Sequence, residues 1–171
     1  MKAVKRDAGT ILVSDWMARK VLTVEIFESL TAARRLMAKH RVNQLPVMDN
    51  GKMVGIVTDR DIRDAYPTSM LIGRPKEIDR FADAFTVEEA MTHNVFTVKP
   101  ETPLLTAVAL LRRHRIGSLP VVRDGKLVGI ITRSDILDFV LSGGASAAAP
   151  KHVRKRKWKV ASRHSARARN A

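Results

Sequence analysis

HRVNQLPVMDNGKMVGIVTDRDI, residues 40–62, is written a second time as HRIGSLPVVRDGKLVGIITRSDI, residues 114–136. The pair sits inside a longer match. Shifting Val13–Asp64 by 74 positions lays it on Val87–Asp138 without a gap, and 22 of the 52 aligned pairs are identical. An ungapped internal duplication of this length means two copies of one supersecondary unit. A unit of roughly 60 residues buries too little surface to stand alone, so the copies are expected to pack on each other. Function is expected where they meet.

Each copy reads strand, helix, strand, turn, strand, helix. Val21–Val24 is a short β-branched run, and a helix over Ser29–Arg41 places Leu30, Ala33, Met37 and His40 on one stripe, widened by Leu36. In the second copy Thr102-Pro103 reads as an N-cap hydroxyl followed by proline at the first helical position. Asn50-Gly51 and Asp124-Gly125 predict two-residue hairpins, because both turn residues need positive φ. Pro46 and Pro120 have no N–H to give and are expected at a strand start or edge. Gly55 and Gly129, inside strands, mark a bulge or a close approach by another backbone or a ligand. The closing helices open at Thr58–Asp61 and Thr132–Asp135.

This gives an α/β (α+β) chain with one copy over 11–66, a linker over 67–86 with a short helical turn around Ile78–Ala84, and a second copy over 87–141. Residues 142–171 form a small-residue spacer and a basic tail. The formal charge is +14, and residues 151–171 hold nine Lys or Arg and no acid. That tail lacks apolar periodicity and is expected to be disordered in isolation. Its Arg154, Lys155, Arg156, Lys157, Trp158 and Lys159 could neutralise phosphates while an aromatic stacks on a base. A membrane surface, an acidic protein or a purely solubilising role are the other readings.

No cysteine is present, which excludes disulfides, thiol catalysis and thiolate metal sites. MKAVKRDAGTILVSDW lacks the apolar core of a secretory signal, and no apolar run approaches the ~20 residues a bilayer needs. A cytoplasmic protein without a transmembrane segment is expected.

The Thr-x-x-Asp that opens each closing helix, Thr58 with Asp61 and Thr132 with Asp135, has two readings. One is a capping-box variant. The other is a nucleotide site: helix N–H groups and an arginine for phosphate, a carboxylate for ribose hydroxyls, and an apolar strand wall for a purine. Arg60 and Arg133 are the arginines within these motifs.

The repeated LPV-x4-GK-x-VGIVTDRDI and LPV-x4-GK-x-VGIITRSDI, each preceded by a VxTV-type strand, resemble the cystathionine-β-synthase (CBS) domain over roughly residues 11–141. Such domains occur as tandem pairs, or Bateman modules. The stretch after TDRDIRDAYP resembles bacterial stand-alone pairs related to the acetoin-utilisation regulator. The resemblance implies two βαββα units packed through their sheets about a pseudo-twofold axis, with two clefts for adenosine derivatives: AMP, ADP, ATP, S-adenosylmethionine or NAD. It implies that Asp61 and Asp135 hold ribose hydroxyls, with Thr58 and Thr132 near ribose or phosphate. Backbone at Lys20-Val21 and Asn94-Val95, with Val42, Pro46, Ile116 and Pro120, would sandwich the adenine. Gln44 and Ser118 stand where some relatives place a phosphate-binding arginine, leaving Arg60 and Arg133 as the phosphate cations. Asn43-Gln44 against Gly117-Ser118 makes the clefts unequal.

From this follows a regulatory module with no catalytic residues, no metal ligands and no cofactor. An adenosine nucleotide is its regulatory ligand, and a homodimer its expected assembly. The alternative is a scaffold whose tail binds nucleic acid. His40 and His114 lack metal partners at i±3 or i±4 and are expected to meet helix-end carbonyls. Met17, Met37, Met53 and Met91 read as core, and Trp16 as core or dimer contact.

Overall fold

The computed structural model describes residues 10–65 and 83–144. The greater part of the linker, with most of its expected turn, and the basic tail lie outside those residues. The first copy consists of α1 (Val13–Trp16), β1 (Val24–Glu25), α2 (Leu30–His40), β2 (Gln44–Asp49), β3 (Lys52–Thr58) and α3 (Asp59–Asp64). The second contributes α4 (Val87–Ala90), α5 (Leu104–Arg113), β4 (Ser118–Arg123), β5 (Lys126–Thr132) and α6 (Arg133–Leu141). One sheet has the order β1-β2-β3, with β1 parallel and β3 antiparallel to β2. The other pairs β4 with β5, and an isolated parallel bridge from Val98 to Val121 stands where Val24 meets Val47 in the first.

Local chemistry sets the element ends. Ser29 caps α2 by accepting from the Ala32 N–H at 3.2 Å, and Arg41 ends the helix in the left-handed region at φ 50. Both hairpins close on Asn50-Gly51 and Asp124-Gly125, all four residues at positive φ as the two-residue loop requires. The Thr102 expectation is corrected. α5 starts at Leu104 with Pro103 as its N-cap, and the Thr102 hydroxyl accepts from the Lys99 N–H at 3.0 Å instead of capping the helix. Pro103 is extended, at ψ 137, so its carbonyl takes the first helical bonds, from Thr106 and Ala107.

Alternation along the strands separates two faces. Leu45, Val47 and Val57 point one way and are fully buried against Leu30, Ala33, Met37 and Ile62; Leu119, Val121 and Ile131 do the same in the second copy. Each of these clusters is completed by the other copy. Val87 and Met91 of the second copy enter the first cluster, while Val13, Trp16 and Met17 of the first enter the second. Trp16 meets Phe139 edge-on, with ring centroids 5.2 Å apart.

The exchange is symmetric in sequence as well as in space. Ala18 bridges to Ile130 and Thr92 to Ile56, while Leu12 bridges to Pro103 and Ser29 to Thr86. Each pair maps onto the other by the 74-residue shift, so the copies are related by a pseudo-twofold axis. Thr92 exchanges both backbone hydrogen bonds with Ile56, at 2.9 and 3.0 Å, which satisfies the outer side of β3 there. Ala18 does the same for Ile130 on β5.

Gly55 and Gly129 stand where these crossing segments pass. A methyl placed on Gly55 would lie 3.0 Å from the Thr92 carbonyl oxygen, and one on Gly129 3.0 Å from that of Ala18. Both readings of these glycines hold, since each also adjoins a register shift: Val47 pairs with Gly55 but Met48 with Met53, leaving Val54 as the extra residue.

Candidate functional site

The prolines of the two LPV motifs decide which backbone beside each sheet stays unpaired. Pro46 and Pro120 are third in their strands, not at a start, and β4 with Pro120 is an edge of its two-stranded sheet. Pro46 pairs with Ile56, whose own N–H and carbonyl both turn outward to Thr92. The Pro46 nitrogen therefore faces β1, not β3. In the parallel ladder that nitrogen would supply a hydrogen bond to the Leu22 carbonyl, and proline has none to give. The strand expected over Val21–Val24 consequently forms only at Val24–Glu25.

Upstream, the chain crosses from Ala18 on β5 to Val24 beside β2, a strap from one copy to the other. Among the described residues the backbone groups of 19–23 make no backbone hydrogen bond. Residues 93–97 cross the opposite way, from Thr92 on β3 to Val98 beside β4, and are equally unpaired. Exposed polar backbone of this kind is what the edge of a purine requires.

The strand face turned away from the core carries the other candidates. Gln44 pairs with Thr58 and Pro46 with Ile56; Ser118 pairs with Thr132 and Pro120 with Ile130. Parallel register from Val24↔Val47 puts Val21 at the level of Gln44. Val42 is tied to α2 through its N–H to the Met37 carbonyl, and Ile116 to α5 through Leu111. Val42, Gln44, Pro46, Thr58, Asp61 and the Lys20-Val21 strap thus gather at one end of the first sheet. Ile116, Ser118, Pro120, Thr132, Asp135 and the Asn94-Val95 strap gather equivalently in the second copy.

Both Thr-x-x-Asp motifs are capping boxes. Asp61 Oδ2 accepts from the Thr58 N–H at 2.8 Å and from its hydroxyl at 2.7 Å, and the Thr58 hydroxyl oxygen accepts from the Asp61 N–H at 3.2 Å. Asp135 and Thr132 repeat this at 2.8, 2.6 and 3.3 Å. The cap uses one carboxylate oxygen, and among the described residues Oδ1 of Asp61 has no hydrogen-bond partner. At Asp61 the capping and ribose readings are therefore compatible: one oxygen orients the carboxylate while the other is presented.

The arginines differ. Arg133 donates from Nε to the Ile116 carbonyl at 3.0 Å, which fixes it beside its cleft. Arg60 is exposed and has no side-chain partner among the described residues.

Two features escape a motif-by-motif reading. Gln44 reaches across the seam, its Oε1 lying 3.1 Å from where a Gly117 methyl would be. The Ser118 hydroxyl is buried, with 5% of the residue exposed, and has no hydrogen-bond partner among the described residues. An unsatisfied buried hydroxyl costs about 1–3 kcal/mol unless a water or ligand atom partners it. The sequence held one signal for this region: Met17 and Met91 recur in the same register as Gly129 and Gly55.

The histidine expectation is modified. The His114 ring stacks on Phe96, with centroids 3.9 Å apart and 26° between planes, while its backbone N–H caps α5. Among the described residues no group of three or more His, Asp or Glu is placed to hold a metal ion. None of their helices is long and apolar enough to cross a membrane.

The sequence matches the CBS domain family twice, over residues 13–68 and 87–142. A CBS domain-containing protein from Dictyostelium discoideum is 32% identical over 133 residues, covering 77% of this chain and 92% of that protein. A Vibrio cholerae chain assigned to acetoin utilization (AcuB) superposes with TM-score 0.65 at 32% identity, over 78% of this chain and 92% of its own. The CBS domain pair of protein MJ0100, solved with 5′-methylthioadenosine and S-adenosyl-L-methionine, superposes with TM-score 0.62 at 32% identity, over 80% and 99%. Matches to inosine-5′-monophosphate dehydrogenases take in only about a quarter of those enzymes, 24% for the one from Korarchaeum cryptofilum.

Proposed function

This chain belongs to the CBS domain family, and we propose that it is a regulatory module which binds an adenosine compound in the seam between its copies. AMP, ADP, ATP and S-adenosylmethionine are the candidate ligands, and occupancy is signalled to a partner protein. The role is binding and signalling, not catalysis. One observation carries the reading: in each copy a backbone strap left unpaired opposite a proline lies beside a carboxylate that its own helix cap holds in place. The strap meets the purine edge, the proline and the neighbouring Val or Ile give it apolar faces, and Asp61 or Asp135 takes the ribose hydroxyls. Arg133, and Arg60 in the other cleft, serve phosphate. The complex of the MJ0100 domain pair supports the ligand class.

Signalling follows from the exchange of α1 and α4. Each strap is continuous with a segment anchored in the other copy, so a ligand gripping strap and strand face bears on the relative placement of the two units. Occupancy shifts that placement only insofar as the two arrangements bind the ligand unequally. Two such modules pair through α6, whose Leu137, Val140 and Leu141 fall on one helical face and are 63%, 61% and 84% exposed.

Thermal unfolding with and without AMP, ATP and S-adenosylmethionine tests the ligand. At 100-fold excess over Kd, one site adds about 2.7 kcal/mol. For a fold of this size that raises Tm by roughly 5–10 °C. Unchanged melting with all three at millimolar concentration would remove the proposal. Sedimentation should return twice the 19.0 kDa chain mass, and Leu137→Glu with Leu141→Glu should return it to one.

A further inference from the structure

The end of α5 is electrostatically unlike its counterpart in the first copy. Arg112, Arg113 and Arg115 are exposed and, with Ala109, line an open surface depression of about 540 Å³. Among the described residues none of these three side chains forms an ion pair or hydrogen bond. The equivalent positions of the first copy are Ala38, Lys39 and Arg41, and Arg41 is engaged with a neighbour. The sequence from Leu110 to Arg123 contains no acid, nor does the strap from Thr92 to Lys99. Three guanidinium groups are therefore held together with no counter-charge in either neighbouring segment.

An aromatic platform adjoins them. Phe96 replaces Leu22 of the first copy and stacks on His114, which lies in sequence between Arg113 and Arg115. Phe96 remains 47% exposed.

We propose that this corner of the second copy is a binding surface for single-stranded nucleic acid. The planar guanidinium forks suit phosphate oxygens, and release of counterions from a polyphosphate chain supplies the affinity. The half-exposed Phe96–His114 stack accepts a base, an arrangement tolerant of sequence because every base has a π face. An acidic peptide offers carboxylates to the arginines but nothing to the stack. The nine cations of residues 151–171 continue the same sign of charge along the chain. Phe96 belongs to the 93–97 strap, but none of Phe96, Arg112, Arg113, His114 and Arg115 is among the residues assigned to the adenosine clefts.

Fluorescence anisotropy of labelled dT12 and rU12 with the full chain tests the proposal. Binding should weaken steeply with salt. Replacing Arg112, Arg113 and Arg115 together by Gln should weaken it at least tenfold at 100 mM salt. It should also flatten the slope of log affinity against log salt by about 2. Phe96→Leu, which restores the first-copy residue, should lose several-fold affinity with the slope unchanged. Melting curves of the variants confirm that the fold persists. Absence of oligonucleotide binding by the wild type would overturn the assignment. So would full affinity in the triple variant, with binding lost only when Arg154, Lys155, Arg156 and Lys157 are changed to Gln. Equal affinity for a poly-glutamate peptide would overturn the choice of nucleic acid.

Discussion

The thioether of Met91 lies against the α-carbon of Gly55: a methyl group placed on that glycine would come 2.5 Å from the sulfur. Met17 stands in the same way on Gly129, at 2.6 Å. A residue from one copy thus presses on the bulged strand of the other, twice, and no side chain fits between them. The seam is an interdigitated contact, held by a pair of backbone bonds at the residue after each glycine, Ile56 and Ile130.

Gly55→Ala and Gly129→Ala should each destabilise the protein by about 1–3 kcal/mol through overpacking. The Met sulfur can move, but the Thr92 or Ala18 carbonyl oxygen, 3.0 Å from the added carbon, belongs to a bridging hydrogen bond. Met91→Ala in the Gly55→Ala background should therefore recover only part of the loss. A double-mutant cycle from denaturant unfolding measures that coupling.

Asp61→Ala should cost about 0.5–2 kcal/mol, because Oδ2 accepts two bonds that close the α3 cap. Asp61→Asn retains an acceptor and should cost less, yet both substitutions should remove ribose recognition. A variant with near-native melting and no ligand response separates the two roles of the carboxylate.

Ser118→Ala should leave the free protein as stable as the wild type or more so, since the hydroxyl it removes is buried and unpartnered. Ligand affinity in the same cleft should fall by about fivefold, the equivalent of one net hydrogen bond near 1 kcal/mol. Melting of the apo form and titration of the ligand read the two effects with opposite signs.

The Arg123 guanidinium beside Glu101 holds that carboxyl below the usual glutamate range, with a backbone hydrogen bond to Glu101 adding to the effect. A carboxyl depressed on folding contributes stability above its unfolded pKa and loses it as pH falls through the lower, folded value. The group is exposed, so the effect on melting is small. Carboxyl NMR should place the Glu101 midpoint below that of a free glutamate, and Arg123→Gln should raise it.

Much of this was readable in the sequence because it is local. The Asn-Gly and Asp-Gly turns, the α2 stripe and the Thr-x-x-Asp caps each depend on a few neighbouring residues, and all formed where the pattern placed them. The misreadings came from tertiary context. Thr102-Pro103 carries a strong start signal, but an extended Pro103 moved the helix one residue on. Pro46 looked like an edge residue because a donor is missing. What the pattern missed is its place inside the strand, not at the start; its nitrogen does face an open side, where β1 has ended. The exchange of α1 and α4 was invisible for a physical reason. Val13 and Val87 are equivalent, so the pattern fits equally well whichever copy each one enters. The strand glycines did announce a close approach, without naming Met91 and Met17 as the visitors.

Isothermal titration of AMP and of S-adenosylmethionine into the full chain, repeated with Asp61→Asn and Asp135→Asn combined, tests the seam as an adenosine site most directly. We expect saturable heat with at least one compound, abolished in the double variant while its melting stays close to native. Silence with both ligands at millimolar concentration, or undiminished binding by the double variant, would contradict it.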